Sequence, residues 1–282
     1  MWKPEHRCVA ERRGLRYPSD LTDAEWALVE LTIPPAKHGG RPRDVNVREA
    51  LNAIFYVLST GCQWRALPKD LPPKSTAHFY FMLWDWVRHA GAHSPRALRG
   101  DAREGRSRSE PHGGDHRQPE CQGGSKRGST LDAQGFDAGK KVTGRKRHIL
   151  VDMLGLLLNV AVHPASIQDR DGVALVLDRR TRRLFPFIER IYGDGGYRGP
   201  KAAAAAEKTG RWAIEIVERP ITAIGFEVLP KRWIVERTFA WISRNRRLAR
   251  DFERYARTVA AFIRLAMIRL MLRRLTQPNP CA

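Results

Sequence analysis

The sequence predicts an α/β protein in which a small all-helical segment, residues 1–90, precedes a mixed core at 131–282. Three observations carry that expectation. Amphipathic helix patterns with start and stop signals fill the first ninety residues. Strand-like apolar runs alternate with helical stretches from Lys140 onward, and a long, strongly basic helical pattern closes the chain.

The first helix opens at Leu21-Thr22-Asp23-Ala24-Glu25-Trp26, where Thr22 and Glu25 have capping-box spacing and Leu21 and Trp26 that of a hydrophobic staple. A second helix shows Leu51, Ile54, Phe55 and Leu58 on one stripe and stops at Gly61. The third has Ser75 or Thr76 as N-cap and HFYFMLWDW as its body. With the basic loop residues Lys37, His38, Arg41 and Arg43, these three helices suit either a helix-turn-helix-like DNA reader or a plain helical packing domain.

Between Arg88 and Thr130 the pattern collapses: Leu98 is the one large apolar residue among Gly, Ser, Arg, Pro and His. Such a stretch has too little apolar surface to anchor to a core, so 91–130 is expected to be disordered or loosely attached and to supply no central strand.

Beyond it, HILVD and LLLNVAV read as two strands of a hairpin turning at Gly155. DRDGVALVLDRRTRRLF reads as one helix, and FIERIY as a strand running directly into Asp194. An alanine-rich helix at 201–207, strands at AIEIV and FEVL, a basic helix from about Trp233 and an amphipathic helix through 257–275 complete the chain.

Fifty Lys and Arg stand against thirty Asp and Glu, a formal net charge of +20 at pH 7, which points to a polyanionic partner, nucleic acid above all. The N-terminus lacks the apolar stretch of a signal peptide, and LAMIRLMLRRL is broken by Arg269 before reaching membrane-spanning length. Cys8, Cys62, Cys121 and Cys281 lack zinc or disulfide spacing. A cytoplasmic chain with free thiols and no membrane partner is expected.

Asp194 stands at the end of a predicted strand and precedes Gly195 and Gly196. Taken alone this reads as an ordinary Asp-Gly turn, yet strand ends are where α/β folds present reactive groups. Glu236 lies within 231–275, a stretch with thirteen Lys or Arg and only three acids. Alone it reads as a solvated or ion-paired carboxylate. Helical spacing places Arg232, Glu236, Ala240 and Arg247 near one face, beside an apolar face of Val235, Phe239 and Ile242. A carboxylate held among phosphate-binding arginines suits metal-assisted phosphodiester chemistry.

LTDAEWALVE, LNAIFYVLSTGCQWRALPKDLPPKST, FDAGKKVTGRKRHILVDMLGLLL, the DGGY turn and LPKRWIVERTFAWISRNRRL together resemble the insertion-sequence-five group of bacterial DDE transposases over most of the chain. The resemblance implies an RNase H-like catalytic core and two Mg2+ ions as cofactors. Its partners would be double-stranded DNA at transposon ends and target, with a homo-oligomer formed on that DNA. Residue by residue, Asp194 matches the second catalytic, metal-holding acid of that group and Glu236 the third, while Arg232 matches an arginine that contacts DNA. Arg237, Arg244, Arg247, Lys146 and Arg147 complete the expected DNA-binding set. Leu229 stands where some relatives carry a tyrosine.

The group's first acid belongs in a strand like IIDSQSVK, but here the chain reads Asp115 through Gly123 as DHRQPECQG. Back-translated and read from the second nucleotide of the Asp115 codon, this segment permits IIDSQSVK at every position. The same shift permits TLERIHHAL from HAGAHSPRAL. We therefore expect a frameshift from just after Trp86 to roughly Gly123–Gly128. The lost aspartate codon straddles Arg117 and Gln118, which makes Asp115 a decoy. A DNA transposase inactive as written is the expectation. Its rivals are a non-catalytic protein occupying transposon ends and a structure-specific nuclease of the same fold.

Overall fold

The computed structural model describes residues 12, 14–35, 43–89, 112–114, 132, 134–209, 212–217 and 231–276. The chain divides into two compact units, one of residues 1–105 and 268–282, the other of 106–267.

In the first unit, α1 (Asp23–Glu30) starts with the expected capping box, Thr22 and Glu25 each accepting the other's backbone N–H. Glu25 is nevertheless buried and bonded at 2.7 Å to Arg12, so the cap also neutralises an internal cation. Helix α2 (Val47–Thr60) buries Leu51, Ile54, Phe55 and Leu58 and ends at Gly61, whose φ of 71° is the left-handed conformation glycine adopts without strain. Helix α3 begins at Lys74 and runs to His89. Ser75 and Thr76 thus lie in its first turn, and neither is the N-cap expected of them. The loop cations Lys37, His38 and Arg41 lie outside the described residues.

Among the described residues, the second unit is built on a six-stranded sheet, in the order β2 (Gly135–Asp137), β3 (Val142–Val151), β1 (His112–Gly114), β5 (Arg190–Gly193) and β6 (Ala213–Ile216), with β4 (Leu157–Pro164) also paired to β3. Strands β3 and β4 form the expected hairpin, antiparallel from Arg145 opposite Pro164 to Val151 opposite Leu157. Gly155 takes φ 79° in its turn. Strand β5 is parallel to both β1 and β6.

Strand β1 overturns the expectation that 88–130 supplies no central strand: it lies between β3 and β5, antiparallel to the first. Glycines explain how so polar a stretch enters the sheet. Backbone hydrogen bonds alone fill a ladder position, and Gly113 and Gly114 bring no side chains that the apolar flanks Ile149 to Val151 would have to accommodate.

The expected single helix over 169–185 is two: α4 (Asp169–Val176) and α5 (Arg179–Leu184). Asp178 divides them, its carboxylate accepting the Thr181 N–H at 2.6 Å to cap α5. Helices α6 (Pro200–Thr209), α7 (Arg232–Ser243), α8 (Arg246–Ala249) and α9 (Ala256–Thr276) follow. The basic helix expected from Trp233 therefore breaks at Asn245, which precedes α8 in an extended conformation and donates its side-chain amide to the Trp241 and Ile242 carbonyls. FEVL lies outside the described residues. Val173 and Val176 of α4, Ala202 and Ala206 of α6, Leu150 and Ile191 share one apolar cluster on the sheet. Among the described residues no helix is long and apolar enough to cross a membrane.

Arg145 joins β3 to the segment before α9. It is buried, 3.1 Å from the Asp251 carboxylate, and donates to the backbone oxygens of Glu253 and Arg254. Removing one member of such a pair strands the other charge in a poorly solvated interior. Asp251→Ala is expected to lower unfolding free energy by about 3–5 kcal/mol in urea denaturation, far beyond an exposed acid.

Candidate active site

Ile191 is buried within β5, and the strand carries the chain into Asp194 as it leaves the sheet. Asp194 is half-buried and extended, with φ −84° and ψ 179°, and caps a 3-10 turn over Gly195–Tyr197. Its Oδ1 accepts the Gly196 N–H at 2.9 Å, and its carbonyl accepts the Tyr197 N–H at 3.1 Å. A Cβ on Gly196 would stand 3.1 Å from that Oδ1 and 3.2 Å from an Asp169 carboxylate oxygen. Two carboxylates thus flank the glycine closely enough that a side chain there would crowd both.

Glu236 is on the second turn of α7, exposed, while Ile234, Val235, Phe239 and Ile242 are buried, as the predicted faces require. Lys231 precedes the helix at φ 69° and lays its ammonium 3.4 Å from the centre of the Tyr192 ring, two residues ahead of Asp194. The end of β5 and the start of α7 are therefore tied together. Farther along, Thr238 donates to the Gly155 carbonyl and Arg237 to that of Leu154, both at 2.9 Å, seating α7 on the β3–β4 turn. Among the described residues, no group of three or more His, Cys, Asp or Glu is placed to hold a metal ion.

The expected DNA-binding residues divide. Arg244 is exposed. Arg237 lies between the Trp233 and Trp241 rings, 4.3 and 4.7 Å from their centres. Arg232 opens α7, and its side chain lies outside the described residues. Lys146, Arg147 and Arg247 are turned to internal partners. Lys146 is buried, 3.0 Å from both Asp137 and Asp169, and donates to the Ile167 carbonyl. Arg147 is buried on the Leu248 carbonyl, and Arg247 pairs with Glu253 at 2.6 Å. Each of the three therefore has an internal partner, Lys146 and Arg147 being buried and Arg247 half-buried.

A polar cluster that the sequence did not announce lies beside the Asp194 turn. Tyr197 is buried, with its hydroxyl 2.6 Å from His148 Nδ1, and the His148 ring stacks on His163 at 4.5 Å. Burial first, and the neighbouring His163 and Lys146 next, push His148 down to about 3, so it is neutral at physiological pH. For Asp137 burial works in the other direction and is outweighed. Hydrogen bonds from Lys146 and the Lys140 amide hold its carboxyl at about 2. One signal could have exposed the cluster: Lys146, His148 and Leu150 alternate along β3 and therefore share one face.

Two other acids bear on the site. Asp152 closes the β3–β4 turn, its Oδ1 accepting the Leu154 and Leu156 amides at 2.9 and 2.7 Å. Asp115 follows β1 in the chain and lies outside the described residues.

A family model described as "Transposase DDE domain" matches residues 106–271, more than half of the chain. The chain belongs to the DDE transposase family. A second model, "Putative transposase of IS4/5 family", matches residues 21–89. The DDE transposase domain thus takes in every strand of the sheet together with α4 to α8 and most of α9. The chain is 32% identical over 130 residues to "Putative transposase for insertion sequence element IS402" of Burkholderia cepacia, a match covering 43% of this chain and 60% of that protein. It is also 37% identical over 71 residues to "Insertion element IS402 uncharacterized 16.2 kDa protein" of the same organism, covering 23% and 48%. The chain therefore spans about half the length of the curated relatives it matches. No solved structure matches it.

The titrations separate into two pH windows. An unfolded histidine protonates near 6.5 and His148 only near 3, so its neutral burial withdraws stability as pH falls between those values. Asp137 ionises near 2 in the fold against 3.8 in the free residue, so its contribution is complete above about pH 4 and is lost toward pH 2. Urea titrations at stepped pH are expected to show Asp137→Asn flattening the loss below pH 4 while leaving the slope between pH 6.5 and 4 as in the parent chain.

Proposed function

We propose that the chain is a cut-and-join DNA transposase with an RNase H-like core, inactive as written for want of one acid. Asp194, Glu236 and that third carboxylate, lost by frameshift, form its metal-holding set. The observation carrying this reading is Asp194 itself, delivered by a central strand of a DDE transposase domain and linked through Tyr192 and Lys231 to the helix bearing Glu236. Carboxylate oxygens are the donors Mg2+ prefers, so the two acids suit such an ion, though two alone make only part of a two-ion cradle. Mg2+, when bound, supplies the charge stabilisation that phosphodiester cleavage requires.

Around the acids, Arg237 is pre-ordered between two indoles and Arg244 stands exposed, which suits both to DNA phosphates, with Arg232 beside them in sequence. We extend the proposal to transposon ends and target duplex as substrates, a homo-oligomer on that DNA and a cytoplasmic setting. The charge of +20 supports the DNA partner.

One observation favours a second reading. Strand β1 occupies the position between β3 and β5 in the frame as written, which suits a chain active without repair. Activity decides between them. The unrepaired chain is expected to bind transposon-end DNA without cleaving it in Mg2+. Restoring the frame between Trp86 and about Gly128 is expected to yield strand transfer that Asp194→Ala or Glu236→Ala then abolishes. The loss should be about a thousandfold or more, given the several kcal/mol that metal-borne charge stabilisation contributes. Strand transfer by the unrepaired chain would overturn the inactivity, and Asp115→Asn would then test the acid that follows β1.

Binding affords a separate check. Each phosphate contact removed is expected to flatten the dependence of log affinity on log salt by about 0.9. Arg244→Ala should do this with little change in stability. Arg247→Ala should chiefly destabilise the fold, because it leaves the Glu253 carboxylate without its 2.6 Å partner.

A further inference from the structure

We propose that His148 is a positioning residue for Asp194, acting through the hydroxyl of Tyr197; this rests on the reading of Asp194 as a metal-holding acid.

The direction of the Asp194 carboxylate depends on the three-residue turn that follows it. Two of those residues, Gly195 and Gly196, are exposed, and glycine is the residue with most backbone freedom to lose. The turn gains its order from its far end. Tyr197 is 6% exposed and embedded in the apolar cluster with Leu150, Val173 and Ile191. Its N–H closes the turn on the Asp194 carbonyl, and its hydroxyl meets His148 Nδ1 at 2.6 Å.

His148 is itself held on every side. It lies in the interior of β3 at 2% exposure, stacked on His163 of β4 at an interplanar angle of 19°. It faces Gly172 of α4, where a Cβ would come within 2.6 Å of Nε2. That Nε2 is buried without a hydrogen-bond partner among the described residues, and the hydrogen bond shown for the ring is the one to Tyr197. An imidazole buried with an unpartnered nitrogen is less stable than an apolar side chain of similar size would be. What the fold obtains for that cost is a rigid acceptor or donor at one point, the tyrosine hydroxyl, three residues from Asp194. Asp169 adds to the constraint from the opposite side. Lys146 anchors its carboxylate, which would stand 3.2 Å from a Cβ on Gly196, so any side chain there would crowd it.

The test uses the full chain and two readouts. The exchange rate of the Gly196 amide, whose proton the Asp194 carboxylate accepts, reports the turn directly. Mn2+ titration followed by water-proton relaxation reports ion affinity, Mn2+ being a carboxylate-preferring stand-in for Mg2+. Tyr197→Phe keeps the buried ring and removes only the hydroxyl. It is expected to speed Gly196 exchange about tenfold and to weaken Mn2+ binding several-fold. His148→Ala should do the same, and His148→Asn, which can place an amide near the Nδ1 position, should recover part of both. Ile188→Val, in the same apolar cluster, should lower stability and leave both readouts unchanged. If Tyr197→Phe and His148→Ala match the parent in both readouts while Asp194→Ala loses Mn2+, the positioning role is wrong and the functional reading stands. If Asp194→Ala binds Mn2+ as the parent does, the functional reading fails and this inference fails with it.

Discussion

The second unit depends on burying Lys146. An ammonium removed from water costs several kcal/mol after relaxation, and only close partners offset that. Here Asp137 and Asp169 each approach to 3.0 Å and the Ile167 carbonyl accepts a further hydrogen bond. Burial works against the charge, and the two carboxylates outweigh it, raising the Lys146 pKa. Because the partners come from β2 and from the first residue of α4, satisfying one cation fixes an edge strand, a central strand and a helix start relative to one another. Asp169 then stands against Gly196, so a carboxylate that offsets the lysine charge also flanks the turn that carries Asp194.

The same logic reapportions the basic charge of the chain. A formal charge of +20 suggests a broad DNA surface, yet several cations are consumed inside. Arg145 is buried against Asp251, Arg147 against the Leu248 carbonyl, and Arg247 pairs with Glu253. In the first unit Arg269 and Arg273 both donate to the Pro18 carbonyl, and burial draws the Arg269 pKa down to about 9. Guanidinium groups suit this use because a planar fork of donors can satisfy several carbonyls at once. Among the described residues of α7 and its C-terminus, Arg244 stays exposed and Arg237 is flanked by two indoles.

Local chemistry was legible in the sequence wherever one residue decides the outcome. The Thr22–Glu25 box, the Gly61 stop, the hairpin at Gly155 and the strand ending at Asp194 each follow from a short-range rule, and each is present. What escaped were outcomes settled by partners distant in sequence. Lys146 reads as a surface cation until Asp169, twenty-three residues on, is known to meet it. Strand β1 has no apolar pattern because its contribution is backbone, and its place is set by β3 and β5 on either side. Asp178 was readable as a cap and Asn245 as a helix breaker, but helical periodicity on both sides of each masked the breaks they make.

The juxtaposition of β5 and α7 rests on a balance that composition conceals. Lys231 adopts φ 69°, a conformation that costs a non-glycine residue about 1–2 kcal/mol. The compensation is its ammonium over the Tyr192 ring at 3.4 Å, a contact contributing on the order of 0.5–2 kcal/mol. Strain and attraction are of similar size, so the pair adds little to stability. Its effect is geometric. Glu236 follows Lys231 by five residues, about 7.5 Å along a helix axis at 1.5 Å per residue. Anchoring that start to the residue two before Asp194 limits where the glutamate can stand, and Thr238 and Arg237 on the β3–β4 turn limit how far the helix can rotate about the anchor. A site of this kind is maintained by interactions that nearly cancel in energy and are decisive in position.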